Sequence, residues 1–395
     1  MADERKRKVL LSLFVAMEDS DMDDSSGDEE EEFINFLPAL MNECTQRQDR
    51  TQQRVIDYFE LTISRLPDID FKSHFRLRRE SLEILCQRLC TSEYLQKGQK
   101  GGREEIKLAK KLCMYLWFSS TKETNRSISS RFGVTYSSVG RVVDRVTKAI
   151  SAIMTKQEIV WPTGNRRKVV ARGFQAMKGI ENVIGAIDGS HIPISERTED
   201  NKVYVNRKHF ESVVLQGCCD HVLRFTDCFT GFPGSTHDAR VYENSTIRRR
   251  IIADPVSMVP EGSIILGDSA YKLETYMMVP YKDTGNMNRT KNRYNYKHSA
   301  TRMVIERAFG LLKGRFCRLK YLELRNLEPL NKFIIAMCTL HNFCINEDLR
   351  LNLDPSEVDF DIEFEDVGHD AYYNEIYGAA LVDAERKRDE IAESM

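Results

Sequence analysis

Val183-Ile184-Gly185-Ala186-Ile187-Asp188-Gly189-Ser190-His191 is an apolar run with β-branched residues that ends on a carboxylate. A run of that length, closed by Asp-Gly, reads as a buried strand. A second run of the same kind, Ser263-Ile264-Ile265-Leu266-Gly267-Asp268-Ser269-Ala270-Tyr271, ends on Asp268. A third acid, Glu306, lies in Arg302-Met303-Val304-Ile305-Glu306-Arg307-Ala308-Phe309-Gly310, where the apolar positions follow a helical period. A carboxylate at the end of each of two strands and a third on a helix can converge on divalent cations.

Working outward, Val213 to Cys219 and Val222 to Phe229 read as strands joined by a hairpin at Asp220-His221. The loop Gly231-Phe232-Pro233-Gly234-Ser235-Thr236 precedes a helix from His237 to about Ile251. Ser263 to Leu266 and Met277 to Tyr281 supply two more strands, and Thr284 to Lys297 reads as a basic, Asn-rich loop. A long helix from about Ser299 carries Glu306, and an apolar helix runs from about Leu330 to Ile345. This mixed order suits an α/β, RNase H-like domain over 175–346. It does not suit a doubly wound nucleotide-binding domain, and neither G-x-G-x-x-G nor a P-loop occurs where one would be needed.

The preceding part reads as all-α. Residues 33–103 are expected to be helical and to end in the basic, Gly-rich linker QKGQKGGR. Residues 104–150 hold an amphipathic helix, a short helix around Ser127 to Phe132, a turn at Gly133-Val134 and a longer helix from Thr135 to Ile150. Short helix, Gly turn and longer helix are the helix-turn-helix pattern, although Gly turns join ordinary helical hairpins as well. Its outer face would present Tyr136, Ser137, Ser138, Arg141, Arg145 and Lys148 to DNA. Residues 151–174 read as a connector.

Charge is strongly segregated. Residues 1–32 carry 12 acids and 4 bases, residues 347–395 carry 16 acids and 4 bases, and the body between them carries 32 acids and 50 bases, net +18. A basic body suits a polyanion partner, and two acidic tails either compete for the same surface or are merely solvated and disordered. Arg5-Lys6-Arg7-Lys8 followed by Val9 to Met17 imitates a signal peptide. Asp3, Glu4 and the acidic run from Glu18 argue against that reading, and nuclear targeting is the alternative. No apolar stretch approaches the about 18 residues that span a bilayer. The ten cysteines form no C-x-x-C pair, which suits reduced thiols. Cys338, His341 and Cys344 lie at helical spacing in an apolar stretch and read as either a zinc site or plain core.

The carboxylates suit phosphodiester hydrolysis with two Mg²⁺ or Mn²⁺ ions roughly 3.5–4 Å apart. Asp188 would bridge, and Asp268 and Glu306 would each hold one ion. Asp238, in His237-Asp238, competes for a place as an additional ligand, or else stabilises the first turn of its helix. His237 and His191 would stand behind the ligands. Arg289, Lys291, Arg293, Lys297, Arg302, Lys313 and Arg315, with Tyr294 and Tyr296 interleaved, would form a phosphate-backbone track. A solvated charged face is the alternative.

The motifs AIDGSH (186–191), GFPGSTHDAR (231–240), LGDSAY (266–271), IERAFGLLKGRF (305–316) and LHN (340–342) occur in that order. With the helix-turn-helix they span roughly residues 75–346, and together they resemble the PIF/Harbinger transposase superfamily and its host-adopted, Harbinger transposase-derived nucleases. The resemblance implies a DDE triad at Asp188, Asp268 and Glu306 and divalent-metal-dependent DNA cleavage with strand transfer. It also implies a Myb/SANT-like DNA-binding partner that assists nuclear import, so a nuclear protein with a cytoplasmic pool is expected. A homodimer is a further expected assembly, and a catalytically silent DNA- or partner-binding descendant is the other functional reading.

Overall fold

The two carboxylate-tipped runs become neighbouring parallel strands of one mixed sheet. The structure is a computed structural model that describes residues 57–96, 105–195, 201–283, 285, 287–323, 327–351, 353 and 379–395. The expected acidic tail over 1–32, the basic tetrad inside it and most of the Gly-rich linker lie outside the described residues.

Helices α1 (Asp68–Phe75), α2 (Arg79–Leu89), α3 (Leu108–Ser120), α4 (Asn125–Arg131), α5 (Tyr136–Ile153) and α6 (Gly164–Lys178) precede the sheet. Thr124 caps α4 by accepting from the Ser127 amide at 3.3 Å. Gly133, at φ 65°, makes the turn into α5. The period read from sequence in α5 is real, since Val139, Val142, Val143, Val146 and Ile150 are all buried. Thr135 occupies the N-cap position, but its hydroxyl lies 2.8 Å from the Ser138 hydroxyl rather than on a backbone amide.

The sheet comprises β1 (Val183–Pro193), β2 (Ser212–Cys219), β3 (Phe225–Pro233), β4 (Ile264–Leu266) and β5 (Met277–Met278) in the order β3-β2-β1-β4-β5. The pairs β1–β2 and β2–β3 are antiparallel, whereas β1–β4 and β4–β5 are parallel. Between β3 and β4 run α7 (Asp238–Glu243) and α8 (Thr246–Ala253). They replace the single helix expected from His237 to Ile251, because the Ser245 hydroxyl accepts from the Arg248 amide and starts a new helix.

Helix α9 (Arg289–Arg315) lies against the sheet, followed by α10 (Leu327–Arg350) and α11 (Ala379–Ser394). The expected loop from Thr284 to Lys297 is helical from Arg289 onward. Asn288 caps that helix by accepting from the Lys291 amide at 2.8 Å, and the buried Tyr294, His298 and Thr301 give it a continuous inner face.

The described residues form one compact unit. Its largest apolar core takes in Leu112, Val139 and Phe174 from the helices before the sheet together with Val183, Leu215, Ile305 and Phe333. The helical region and the sheet region therefore share a core, and the boundaries expected near residues 104, 151 and 175 do not separate independent ones.

The LHN motif locks the β2–β3 hairpin to α10. His341 Nε2 donates to the Leu223 carbonyl at 2.9 Å. Asn342 accepts from the Phe225 amide at 2.8 Å and donates to the carbonyls of Phe225 and Glu158 at 2.6 and 2.9 Å. Cys338 and Cys344 are buried on the same helix, and His341 is committed to its carbonyl, so the Cys338-His341-Cys344 spacing is that of a core helix rather than a zinc site.

Two outcomes follow for stability. Asn342→Ala strands three buried backbone groups and should destabilise the fold by at least about 2 kcal/mol in chemical denaturation. Burial pushes His298 down to about 4 and His341 down to about 3. Both stay neutral in the fold, while the unfolded side chains take up protons near pH 6.5. The stability they contribute is thus complete above about pH 6.5 and is lost as pH falls toward 4 and 3, by about 1.4 kcal/mol per pH unit for each. In His341→Gln, ΔG measured between pH 6.5 and 4.5 should fall less steeply by one proton's worth; an unchanged slope would contradict the assignment.

Candidate active site

Strand register brings the first two acids together. Ala186 pairs with Leu266 across the parallel β1–β4 ladder, and Asp188 and Asp268 each lie two residues beyond that pair. Neighbouring strands run about 4.8 Å apart, so the two carboxylates emerge side by side. Side chains alternate along a strand, and Ala186 and Ile192 belong to the same core as Ile305 and Phe309 of α9. Asp188 shares their parity and faces that helix.

Glu306 reaches the site through an arginine. Arg302 donates from Nη1 to Asp188 Oδ2 at 2.8 Å and from Nη2 to Glu306 Oε1 at 2.6 Å. Its side chain is only 4% exposed. Sequence reasoning placed Arg302 on a DNA track, but the structure turns it inward as the link between two of the three expected ligands. The signal was present, because residues four apart on a helix share a face.

Asp238 belongs to the same cluster. A Cβ built on Gly189 would fall 2.2 Å from Asp238 Oδ1, so the carboxylate occupies the space that the glycine leaves. Asp238 also begins α7, so it stands in the cluster and at a helix terminus at once. Burial, opposed by Arg302 and reinforced by Asp268 and Asp238, pushes Asp188 up to about 7. Burial and Asp268, opposed by Arg207, push Asp238 up to about 7 as well.

Beneath this group lies Tyr271, buried, with its hydroxyl unpaired among the described residues and its pKa well above the usual value through burial and the charges of Asp238, Asp188 and Asp268. Gln216, directly across the ladder from Gly189, also buries both side-chain amide atoms without a partner among the described residues. Orphaned polar atoms beside several carboxylates mark a place for ions or water.

His237 accepts from Arg207 at 2.7 Å through Nδ1, and His191 Nδ1 lies 3.1 Å from the Ser212 hydroxyl. Arg207 was missed by sequence reasoning. It reaches His237 across 30 residues of chain, and no local pattern encodes such a contact.

The donor chemistry fits hard divalent cations. Asp188, Asp238, Asp268 and Glu306 offer only oxygen, and their negative charge is met locally by Arg302 and Arg207. As the side chains stand, however, no three acidic, imidazole or thiol groups among the described residues are gathered closely enough to chelate an ion. Arg302 intervenes between Asp188 and Glu306.

The expected DNA-facing residues divide. Tyr136, Ser137 and Arg141 are exposed on α5, and Arg145 and Lys148 are partly so. Ser138 is buried instead, held by Thr135 and Arg141. On α9, Arg289 and Arg293 are exposed, while Lys291 stacks over the Tyr281 ring and Lys297 donates to the Met395 carbonyl. Lys313 and Arg315 are corrections. Both are buried, Lys313 donating to the His191 carbonyl at 2.8 Å and Arg315 to the His341 carbonyl at 3.4 Å. Tyr294 is likewise buried, whereas Tyr296 is exposed.

No helix among the described residues is long and apolar enough to cross a membrane. Residues 187–342 match the family described as DDE superfamily endonuclease. The Arabidopsis thaliana protein named Antagonist of Like Heterochromatin Protein 1 is 25% identical over 298 residues, covering 71% of this chain and 74% of its own. The "Putative nuclease HARBI1" proteins of Bos taurus and Homo sapiens are 30% and 29% identical over 234 residues. In both comparisons the match covers 58% of this chain and 65% of the relative, just under two thirds of the relative's length. No solved structure matches the chain at a significant level. The resemblance read from the motifs is borne out: residues 187–342 match the DDE superfamily endonucleases, and the chain resembles the Harbinger-derived DDE nucleases.

Proposed function

We propose that the chain is a divalent-metal-dependent DNA endonuclease of the DDE type, built on an RNase H-like sheet. The gathering of Asp188 within β1, Asp268 just past β4 and Asp238 at the start of α7, with Glu306 tied to Asp188 through Arg302, carries this reading. When bound, Mg²⁺ or Mn²⁺ would polarise the phosphate and promote attack by water. The chain's own residues do the rest. Asp188, fixed within β1, Asp268, just beyond β4, and Glu306, fixed on α9, would hold the ions with Asp238 beside them. Arg289 and Arg293 would meet the DNA backbone, and the outer face of α5 would present Tyr136, Ser137, Arg141, Arg145 and Lys148 as a helix-turn-helix surface.

In the reaction, the water oxygen bonds to phosphorus and the P–O3′ bond breaks, leaving a 3′-hydroxyl and a 5′-phosphate. Strand transfer would use that hydroxyl as the next nucleophile. A Myb/SANT-like DNA-binding partner, nuclear location with a cytoplasmic pool, and a homodimer belong to the same proposal and rest on the family resemblance, with the basic tetrad added for location. A second reading, a silent DNA- or partner-binding relative, is favoured by one observation: Arg302 already neutralises two of the three triad carboxylates.

Asp188→Ala or Glu306→Ala should abolish Mg²⁺- or Mn²⁺-dependent nicking, by at least about 10³-fold, while salt-sensitive DNA binding persists. Unchanged cleavage in either variant sinks the mechanism, and a wild type that never cuts with its partner present supports the silent reading. Gly189→Ala pushes a methyl group against Asp238 and should reproduce the loss seen in Asp238→Asn. If Asp238→Asn is impaired and Gly189→Ala cuts normally, the packing argument for that carboxylate is wrong.

A further inference from the structure

We infer that Arg302 is the built-in countercation of the carboxylate cluster, bridging Asp188 and Glu306, and that a divalent ion held by these carboxylates would displace it. The inference rests on the nuclease reading and deepens it by assigning a positioning residue that sets metal affinity.

The geometry is specific. One guanidinium spans two carboxylates from different elements, Asp188 on β1 and Glu306 on α9, through separate nitrogens at 2.8 and 2.6 Å. Both oxygens so engaged are the donors a divalent ion would need. The charge of Asp268 also acts on Arg302, so all three triad residues bear on this one cation. An arginine used for surface solubility would not be buried to this degree, since a buried charge is tolerated only when paired. Here the pairing holds β1 and α9 in register when no ion does so.

The two states exclude each other at these atoms. An ion on Asp188 Oδ2 and Glu306 Oε1 would stand against Nη1 and Nη2 on the same oxygens, and the repulsion of cation by cation sets the two in competition. The backbone is already in place, as Arg302 and Glu306 lie one turn apart on a continuous helix. Arg302 then acts in two directions: it stabilises the metal-free fold, and it competes with the ion for the same ligands. Removing it destabilises the empty protein and exposes uncompensated carboxylates that bind an ion more tightly.

The full-length chain is compared as wild type, Arg302→Met and Arg302→Lys, with thermal midpoints in chelator and MnCl₂ titration followed by calorimetry. Expected for Arg302→Met are a midpoint in chelator several degrees below wild type, Mn²⁺ binding at least about tenfold tighter, and a larger rise in midpoint on adding Mn²⁺. Arg302→Lys, which reaches one carboxylate rather than two, should fall between, and it serves if the Met variant does not fold. In wild type with ¹⁵N-labelled arginine, the Arg302 guanidinium signal should show hindered rotation in chelator and freer rotation once Mg²⁺ is added. Unchanged or weaker Mn²⁺ binding in both variants overturns the inference while leaving the nuclease reading intact, as does a guanidinium signal unmoved by Mg²⁺. Absence of Mn²⁺ binding in wild type and variants alike overturns the nuclease reading and the inference with it.

Discussion

The centre of this molecule is organised by a surplus of buried negative charge. Asp188 and Asp268 are nearly inaccessible, Asp238 presses into the space beside Gly189, and Glu306 closes the group from α9. Carboxylates so placed repel one another and resist ionising, which is why burial and mutual charge raise Asp188 and Asp238 to about 7. A fold does not assemble such a group for stability, since apolar residues of similar size would fill the space at less cost. The arrangement makes sense when cations enter the count, first Arg302 and then, on the proposed function, divalent metal.

Helix α9 joins that centre to the rest of the molecule, and its two halves behave differently. The first half shows Arg289, Arg293 and Tyr296 to solvent. The second half is buried on nearly every side from Val304 to Arg315, as expected of a helix enclosed by the core. Arg307 is the exposed exception there, but the buried cations Lys313 and Arg315 are turned away from an external polyanion. Lys313 and Arg315 instead satisfy carbonyls of β1 and α10, so the charges that look in sequence like a continuation of the DNA track act as internal struts.

Much of this was legible in the chain, and the failures have identifiable causes. Apolar runs gave all five strands, because a strand buried on both faces leaves a nearly continuous hydrophobic trace. The three acids of the expected triad stand out in the sequence because each interrupts such a trace. Helix α9 was begun too late because Asn288 and the polar residues after it resemble a loop; its start depends on a cap and on Tyr294 and His298 finding a core. The role of Arg302 was hidden by counting its charge without asking which face it occupies. Arg207 had no local signal, since its contact with His237 is made by two loops that only the folded sheet brings together. The resemblance points to Asp268 rather than Asp238 as the second ligand, and the structure gathers both carboxylates in one cluster.

The C-terminal segment shows why net charge cannot stand in for geometry. Residues 347–395 carry a net charge of −12, which suggested a tail competing with polyanions for the basic body. Yet α11 docks chiefly through its cations and apolar residues. Lys387 donates to the carbonyls of Ser263 and Thr275, Arg388 lies over the Tyr281 ring, and Ala384 and Ala392 are buried. Asp389 is the acid that contributes directly, accepting from the Tyr281 hydroxyl at 2.6 Å, while Asp383 and Glu390 pair with Arg386 of their own helix. Most acids of that segment lie at 354–375, outside the described residues, while α11 itself contacts Tyr281 and the edge of the sheet and Met395 just beyond it accepts from Lys297. Docked this way, α11 braces the start of α9 and so helps fix the helix that carries both Arg302 and Glu306.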